Sequence, residues 1–123
     1  DEDRRTLLGA HAECEKSANV EDADAYYYDN GLFHHAIYAA SHSSFLIEQC
    51  VALHRRLRPY RRLQLRVRNR MRTSFNEHAA IVEAILDGNA ELARSLLRQH
   101  VAVQGDRFSD LVATLARRNV QSG

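Results

Sequence analysis

The sequence predicts an all-α domain, and three observations lead to that class. The chain has 123 residues, a length typical of one domain, and 45% of them are hydrophobic, enough for a buried core. It contains one proline and five glycines, few of the turn residues that would separate the strands of an all-β fold. Apolar residues recur every three or four positions, as they do on one face of an α-helix. Residues 1–123 are therefore predicted to form a single helical domain.

The first predicted helix covers residues 3–16, with Leu7 and Cys14 on its apolar stripe. The segment 17–19 is predicted to break it. Asn19 is then predicted to cap a second helix, since its side chain can accept a hydrogen bond from the first turn.

The second predicted helix runs from about residue 20 to residue 41 and has polar residues on its apolar face. Asn30 and His34 are four positions apart, so they share one side of the helix. Tyr26 and Tyr27 are the tyrosines predicted to face inward. A buried phenol needs a hydrogen-bond partner, so both are candidates for contact with a ligand.

The third predicted helix begins after a serine cap, Ser43 or Ser44. Pro59 predicts a kink, or a helix end just before it, because proline lacks an N–H and clashes with the preceding turn. The helix is expected to end near residues 65–68, followed by a loop around Asn69.

A capping box is predicted to start the fourth helix, with Ser74 as the cap and Glu77 three residues later. This assignment places His78 early in the helix, on its apolar face. Residues 87–89 (Asp-Gly-Asn) are the expected stop, with Gly88 in a left-handed conformation.

The last predicted helix covers about residues 90–117, and His100 lies among its apolar positions. An inward-facing histidine therefore recurs on a third helix. The other apolar positions of its second half are Val103, Phe108, Leu111, Val112 and Leu115.

Charge is concentrated in residues 51–72, which contain nine arginines and no acidic residue. Such a block is compatible with a polyanionic partner, although most of its members are expected on a solvated face. Helical phase points Arg58 or Arg61 inward, where a guanidinium could hold a carboxylate.

Two further classes find no support in the sequence. No apolar run approaches the length of a membrane span, and no signal-peptide pattern opens the chain. Cys14 and Cys50 lack metal or redox spacing, so they are expected to be free thiols in a reducing compartment.

Three histidines on three predicted inner faces, His34, His78 and His100, suggest a shared metal ion. Each buried imidazole would otherwise need its own hydrogen-bond partners, whereas one divalent cation satisfies a nitrogen of all three. Imidazole ligands suit Zn, Ni, Cu or Fe. With Asn30 as a neutral fourth ligand the cation would keep its charge, so a small carboxylate is the expected guest.

Two other interpretations of the histidines are open at this stage. One is a metal-dependent hydrolase or lyase, which needs a general base beside the metal. No Asp or Glu is predicted on the inner stripes beside the histidines, and the capping box accounts for Glu77, so an enzyme is disfavoured. The other is a helical bundle with buried histidines and no ligand.

Four segments together resemble the FCD domain, the C-terminal effector-binding domain of FadR-like GntR transcription regulators. The resemblance covers roughly residues 5–115 and is specific as a linked set. The segments are Asn30-x-x-Phe33-His34, the turn at residues 41–46, Glu77-His78-x-x-Ile81-x-x-Ala84-Ile85 with Asp87-Gly88, and Ala93-x-x-x-Leu97-x-x-His100.

This resemblance implies an antiparallel helical bundle that binds a divalent metal and a small organic acid. Carried over by position, the metal ligands are Asn30, His34, His78 and His100, although the family often has Asp at the first position. Zn is the expected ion, with Ni, Mn or Fe as alternatives.

The family also implies a cytoplasmic homodimer that contacts DNA through a winged helix-turn-helix domain. That domain, together with the family's first helix, would precede residue 1. The bundle in this chain is accordingly expected to be truncated at its N-terminus.

Overall fold

The computed structural model is built of α-helices joined by short turns. It describes the backbone of residues 1–122 and the side chains of residues 1–101, 113 and 116–120. No strand occurs within residues 1–122, so the predicted all-α class is confirmed. The helices are α1 (Glu2–Asn19), α2 (Ala23–Ala39), α3 (Ser44–Arg56), α4 (Arg58–Gln64), α5 (Arg70–Leu86) and α6 (Ala90–Ser122).

The junction between α1 and α2 differs from the prediction. The break predicted at residues 17–19 is wrong, because the Ser17 hydroxyl donates to carbonyls of the preceding turn and α1 continues to Asn19. The cap of α2 is Asp22, whose Oδ1 accepts a hydrogen bond from the N–H of Ala25 at 3.0 Å. Asn19 instead accepts one from Arg72 at 3.1 Å.

The predictions for the α3–α4 region are confirmed. Ser43 caps α3 by accepting a hydrogen bond from the N–H of Leu46 at 3.3 Å. The helix ends before Pro59, which lies in the first turn of α4. N–H groups in a first turn have no intrahelical acceptor, so the proline costs no hydrogen bond there. Asn69, in the following loop, adopts a left-handed conformation with φ 65°.

The capping box predicted for α5 is wrong. The helix begins at Arg70, with Asn69 at the N-cap position, so Ser74 and Glu77 both lie inside it. Ser74 is buried, and its Oγ lies 2.9 Å from the hydroxyl of Tyr26. Its hydroxyl therefore satisfies a buried phenol instead of a backbone N–H at a helix end.

The turn between α5 and α6 follows the prediction. Gly88 has φ +72°, a conformation that other residues adopt only with strain. Asn89 Oδ1 accepts a hydrogen bond from the N–H of Leu92 at 3.1 Å. Within the described residues no helix, α6 included, is long and apolar enough to cross a membrane. The apolar positions predicted at Val103, Phe108, Leu111, Val112 and Leu115 lie outside the described side chains.

The hydrophobic core joins α1, α2 and α5. Tyr26 and Phe33 from α2 are fully buried against Leu7 and Cys14 from α1 and Val82 from α5. Complete burial of a side chain of this size stabilises the fold by about 1.5–3 kcal/mol. The core thereby fixes the inner face of α2 that carries Asn30 and His34.

Candidate metal centre

His34, His78 and His100 converge in the interior from α2, α5 and α6. Each is at most 3% exposed. Each offers one ring nitrogen, and these three atoms lie within 4.8 Å of one another. The predicted inward orientation of all three histidines is thus confirmed, and the group could hold a metal ion.

The spacing of the histidine nitrogens matches that of metal ligands. The Nε2 atoms of His34 and His100 are 3.4 Å apart. Two nitrogens bound tetrahedrally to zinc at about 2.0–2.1 Å would be separated by about 3.3–3.4 Å. These two imidazoles therefore need almost no movement to bind one cation.

Two of the four predicted metal ligands have polar atoms without a hydrogen-bond partner among the described residues. Both ring nitrogens of His78 are buried without a hydrogen-bond partner among them, and so is Oδ1 of Asn30. An unsatisfied buried polar group costs about 1–3 kcal/mol. A cation held by His78 and Asn30 would satisfy the Asn30 oxygen and one of the two His78 nitrogens, so the residues present fit the metal.

Burial keeps the three imidazoles neutral. It lowers the pKa of His34 well below its usual value and lowers the pKa of His78 to about 2, and the positive charge of the nearby Arg61 adds to both effects. The pKa of His100 is also lowered by burial, against an opposing effect of Glu77. Neutral imidazole is the form that binds metal, since its ring nitrogen keeps a lone pair.

A carboxylate that the sequence analysis did not place here lies beside the histidines. Oε1 of Glu77 accepts a hydrogen bond from Nδ1 of His100 at 3.1 Å and another from Nη1 of Arg70 at 3.0 Å. The expectation that no acidic side chain lies near the histidines is therefore wrong. His100 contacts Glu77 because α6 packs against the side of α5 that carries Glu77. The signal available in the sequence was its seven-residue spacing from Arg70, two helical turns along one face.

A cavity of about 370 Å³ adjoins His34. Arg61 lines it, and its Nη1 donates to Nδ1 of His54 at 2.6 Å. Its Nη2 is buried without a partner among the described residues, and burial lowers its pKa. Leu53 and Leu57 contribute aliphatic walls. We call this space the acid cavity.

The residues predicted to bind an acid occupy different places. Of the four, Arg61 is the one that lines the acid cavity. Arg58 and Tyr27 line a second pocket, and the Tyr26 hydroxyl lies against Ser74 in the core. Direct contact of Arg58, Tyr26 or Tyr27 with an acid stays a prediction.

The remaining histidines lie outside the three-histidine group. His35 is exposed, and Nε2 of His42 lies 2.8 Å from a carboxylate oxygen of Asp3. His11 stacks on Phe75 with ring centroids 4.9 Å apart.

Comparison with known families gives one match. The family model of the FCD domain matches residues 1–103 of the chain. No curated protein matches the chain. The matched range contains all four predicted metal ligands and the acid cavity.

Proposed function

Because the chain belongs to the FCD domain family, we propose that it is the metal-dependent, organic-acid-sensing domain of a transcription regulator. FCD domains are effector-binding domains of GntR-type regulators, which are generally not enzymes. In this proposal an acid binds beside the three histidines and alters DNA binding by a winged helix-turn-helix domain.

The observation that carries the proposal is the buried group of three histidines, in which neither ring nitrogen of His78 has a hydrogen-bond partner among the described residues. His34, His78 and His100 would hold a divalent cation through ring nitrogens, with the amide oxygen of Asn30 as a weaker fourth ligand. Zn fits a set dominated by imidazole, and Ni, Mn or Fe are alternatives. Because these ligands are neutral, the bound ion would supply a positive centre that attracts a carboxylate.

Arg61 is the residue that we propose for holding the far end of the acid. Its partly unpartnered guanidinium lines the acid cavity beside His34. A guanidinium donates two parallel hydrogen bonds to a carboxylate, and in a buried site this pairing is stronger than in water. The volume of about 370 Å³ is at the small end of ligand sites, which favours an organic acid of few atoms.

The output of such a sensor depends on a difference in affinity. An acid changes DNA binding only to the extent that it prefers one arrangement of the domain over another. We propose that the regulator is a cytoplasmic homodimer, because two-fold dimers are the commonest symmetric assemblies and would match a two-fold operator.

Metal content and acid-dependent stability test this function. Protein purified without added metal should contain close to one divalent ion per chain, or recover it on addition of zinc. A panel of small organic acids should include one that raises the melting temperature. His34→Ala and His78→Ala should lose both the ion and the shift.

The control is His35→Ala, which removes the exposed neighbour of His34. This variant should keep the metal and the acid-dependent shift. A parent protein that binds no zinc or nickel would refute the metal site. An equal acid-dependent shift in the parent and in His34→Ala would place acid binding elsewhere.

A further inference from the structure

A second pocket, of about 460 Å³, lies on the surface between α2 and the α3–α4 segment. It shares His54 with the acid cavity but contains none of the three converging histidines. Arg55, Arg58 and Arg62 line it, and none of the described residues that line it is acidic. We call it the arginine pocket.

The arginine block divides into paired and unpaired members. Arg66 and Arg70 contact the carboxylates of Asp24 and Glu77 at 2.8 and 3.0 Å. Arg55 and Arg58 are exposed and form no hydrogen bond or ion pair with any described residue. Two arginines without a counter-charge therefore lie at one concave site, where their mutual repulsion favours a bound anion.

The third arginine of the pocket is already held in place. Nη2 of Arg62 donates to the hydroxyl of Tyr28 at 3.0 Å. Its guanidinium carbon lies 4.9 Å from the ring centroid of Tyr27 and 5.6 Å from that of Tyr28. A guanidinium fixed in this way loses little conformational entropy when it binds an anion.

Apolar side chains form the rest of the wall. Tyr28 and Leu32 are each 62% exposed, and Val51 lies half-buried beside them. A ligand that covers these side chains must carry an apolar or aromatic body as well as its charge.

We propose that the arginine pocket is a second ligand site, which takes a small organic phosphate with an aromatic or apolar body. Three guanidiniums match the charge and the three terminal oxygens of a phosphate monoester better than the single charge of a carboxylate. The concave form and volume fit a small molecule, whereas a duplex backbone needs an extended basic face. This site does not depend on the metal or on the acid cavity.

Phenyl phosphate is the probe for this site, followed by calorimetry and ³¹P NMR at physiological ionic strength. It should bind the parent more tightly than inorganic phosphate, which lacks the ring, and benzyl alcohol should not bind. Arg55→Gln and Arg58→Gln should each weaken binding by about fivefold to tenfold.

Arg56→Gln is the matched control, because Arg56 is also exposed and carries the same charge one position from Arg55 but does not line the pocket. Its affinity should stay within about twofold of the parent, since exposed charges outside the site are screened. Equal loss in Arg56→Gln and Arg55→Gln, or no binding by the parent, would overturn the proposal. Displacement of phenyl phosphate by duplex DNA, seen equally in the parent and in Arg56→Gln, would also overturn the proposal. In His34→Ala binding should be unchanged, which separates this site from the acid cavity.

Discussion

Oε1 of Glu77 lies 3.1 Å from Nδ1 of His100, and this contact leaves the Nε2 atom of His100 facing His34. A carboxylate that accepts the Nδ1 proton fixes the tautomer of an imidazole and raises the basicity of its other nitrogen. Arg70, which is 2% exposed, contacts the same oxygen and balances its charge. Glu77 is therefore placed to orient His100, a proposed metal ligand, from the side away from His34.

Glu77→Gln should weaken zinc binding by about 10- to 100-fold, the usual effect of losing a carboxylate behind a histidine ligand. It should also lower the melting temperature, because the buried guanidinium of Arg70 loses its counter-charge. Zinc affinity is measured by competition with a chromogenic chelator. Glu77→Asp should recover part of the affinity.

Glu83→Gln, an exposed substitution on the same helix, is the control and should bind zinc like the parent. A Glu77→Gln protein with the parent's zinc affinity would show that Glu77 only supports the fold. The ¹⁵N chemical shifts of His100 offer a second readout, since they report its tautomer directly.

Helical periodicity was sufficient to predict that His34, His78 and His100 face inward, because burial on one face is a property of each helix alone. The role of Glu77 was not predictable in the same way. The Ser74-x-x-Glu77 pattern matches a capping box, but a capping box forms only where a helix begins. The start of α5 at Arg70 and the packing of α6 beside Glu77 depend on tertiary contacts.

The choice between Arg58 and Arg61 shows a second limit of periodicity. The sequence predicted either a kink at Pro59 or a helix end just before it, but the inward phase given to both arginines assumed that one helical phase continues past Pro59. The structure ends α3 at Arg56 and starts α4 at Arg58, so the phase of one helix cannot be extended to the next. Arg61 consequently lines the acid cavity, and Arg58 lines the arginine pocket.

Asn30→Asp should tighten zinc binding by at least about tenfold, because a carboxylate adds a negative charge to an otherwise neutral ligand set. Without metal the same substitution should destabilise the fold, since Asn30 is 2% exposed and the new charge would be buried. The melting temperature of Asn30→Asp should thus lie below the parent's without zinc and gain more when zinc is added. Unchanged zinc affinity would mean that Asn30 is not a ligand.

Arg61→Met should separate acid binding from metal binding. The methionine keeps much of the packing of the side chain but removes the guanidinium, so the affinity for the acid should fall by about 10- to 100-fold. Zinc content should stay at the parent level, as elemental analysis would check. Arg62→Met is the control, because Arg62 contacts Tyr28 outside the acid cavity. Equal acid affinities in the parent and Arg61→Met would remove Arg61 from the proposed site.

The two free cysteines should differ in reactivity. Cys50 lines the acid cavity and is partly exposed, whereas Cys14 is fully buried and burial raises its pKa to about 12. Iodoacetamide should label Cys50 first, since the thiolate is the reactive form. A bound acid should slow that labelling, which peptide mass spectrometry can follow. If an acid stabilises the protein but does not slow the labelling of Cys50, the acid binds outside this cavity.

Cys14 should make the fold less stable at alkaline pH. Its pKa rises from an ordinary value of 9.0 to about 12 in the folded chain, mainly through burial. Between these values the unfolded chain loses the thiol proton and the folded chain keeps it, so the free energy of unfolding falls by up to about 1.4 kcal/mol per pH unit.

Cys14→Ala removes this titration, whereas Tyr26, whose pKa is also raised mainly by burial, titrates in both proteins. The difference between variant and parent therefore reports chiefly on the thiol. At neutral pH the variant should be less stable, because a buried side chain becomes smaller. The difference in free energy of unfolding between the parent and Cys14→Ala should then become smaller from pH 9 upward, as urea-unfolding curves recorded at increasing pH would show. Parallel stability profiles for the two proteins would contradict this effect, because they would require the same thiol pKa in the folded and unfolded chains.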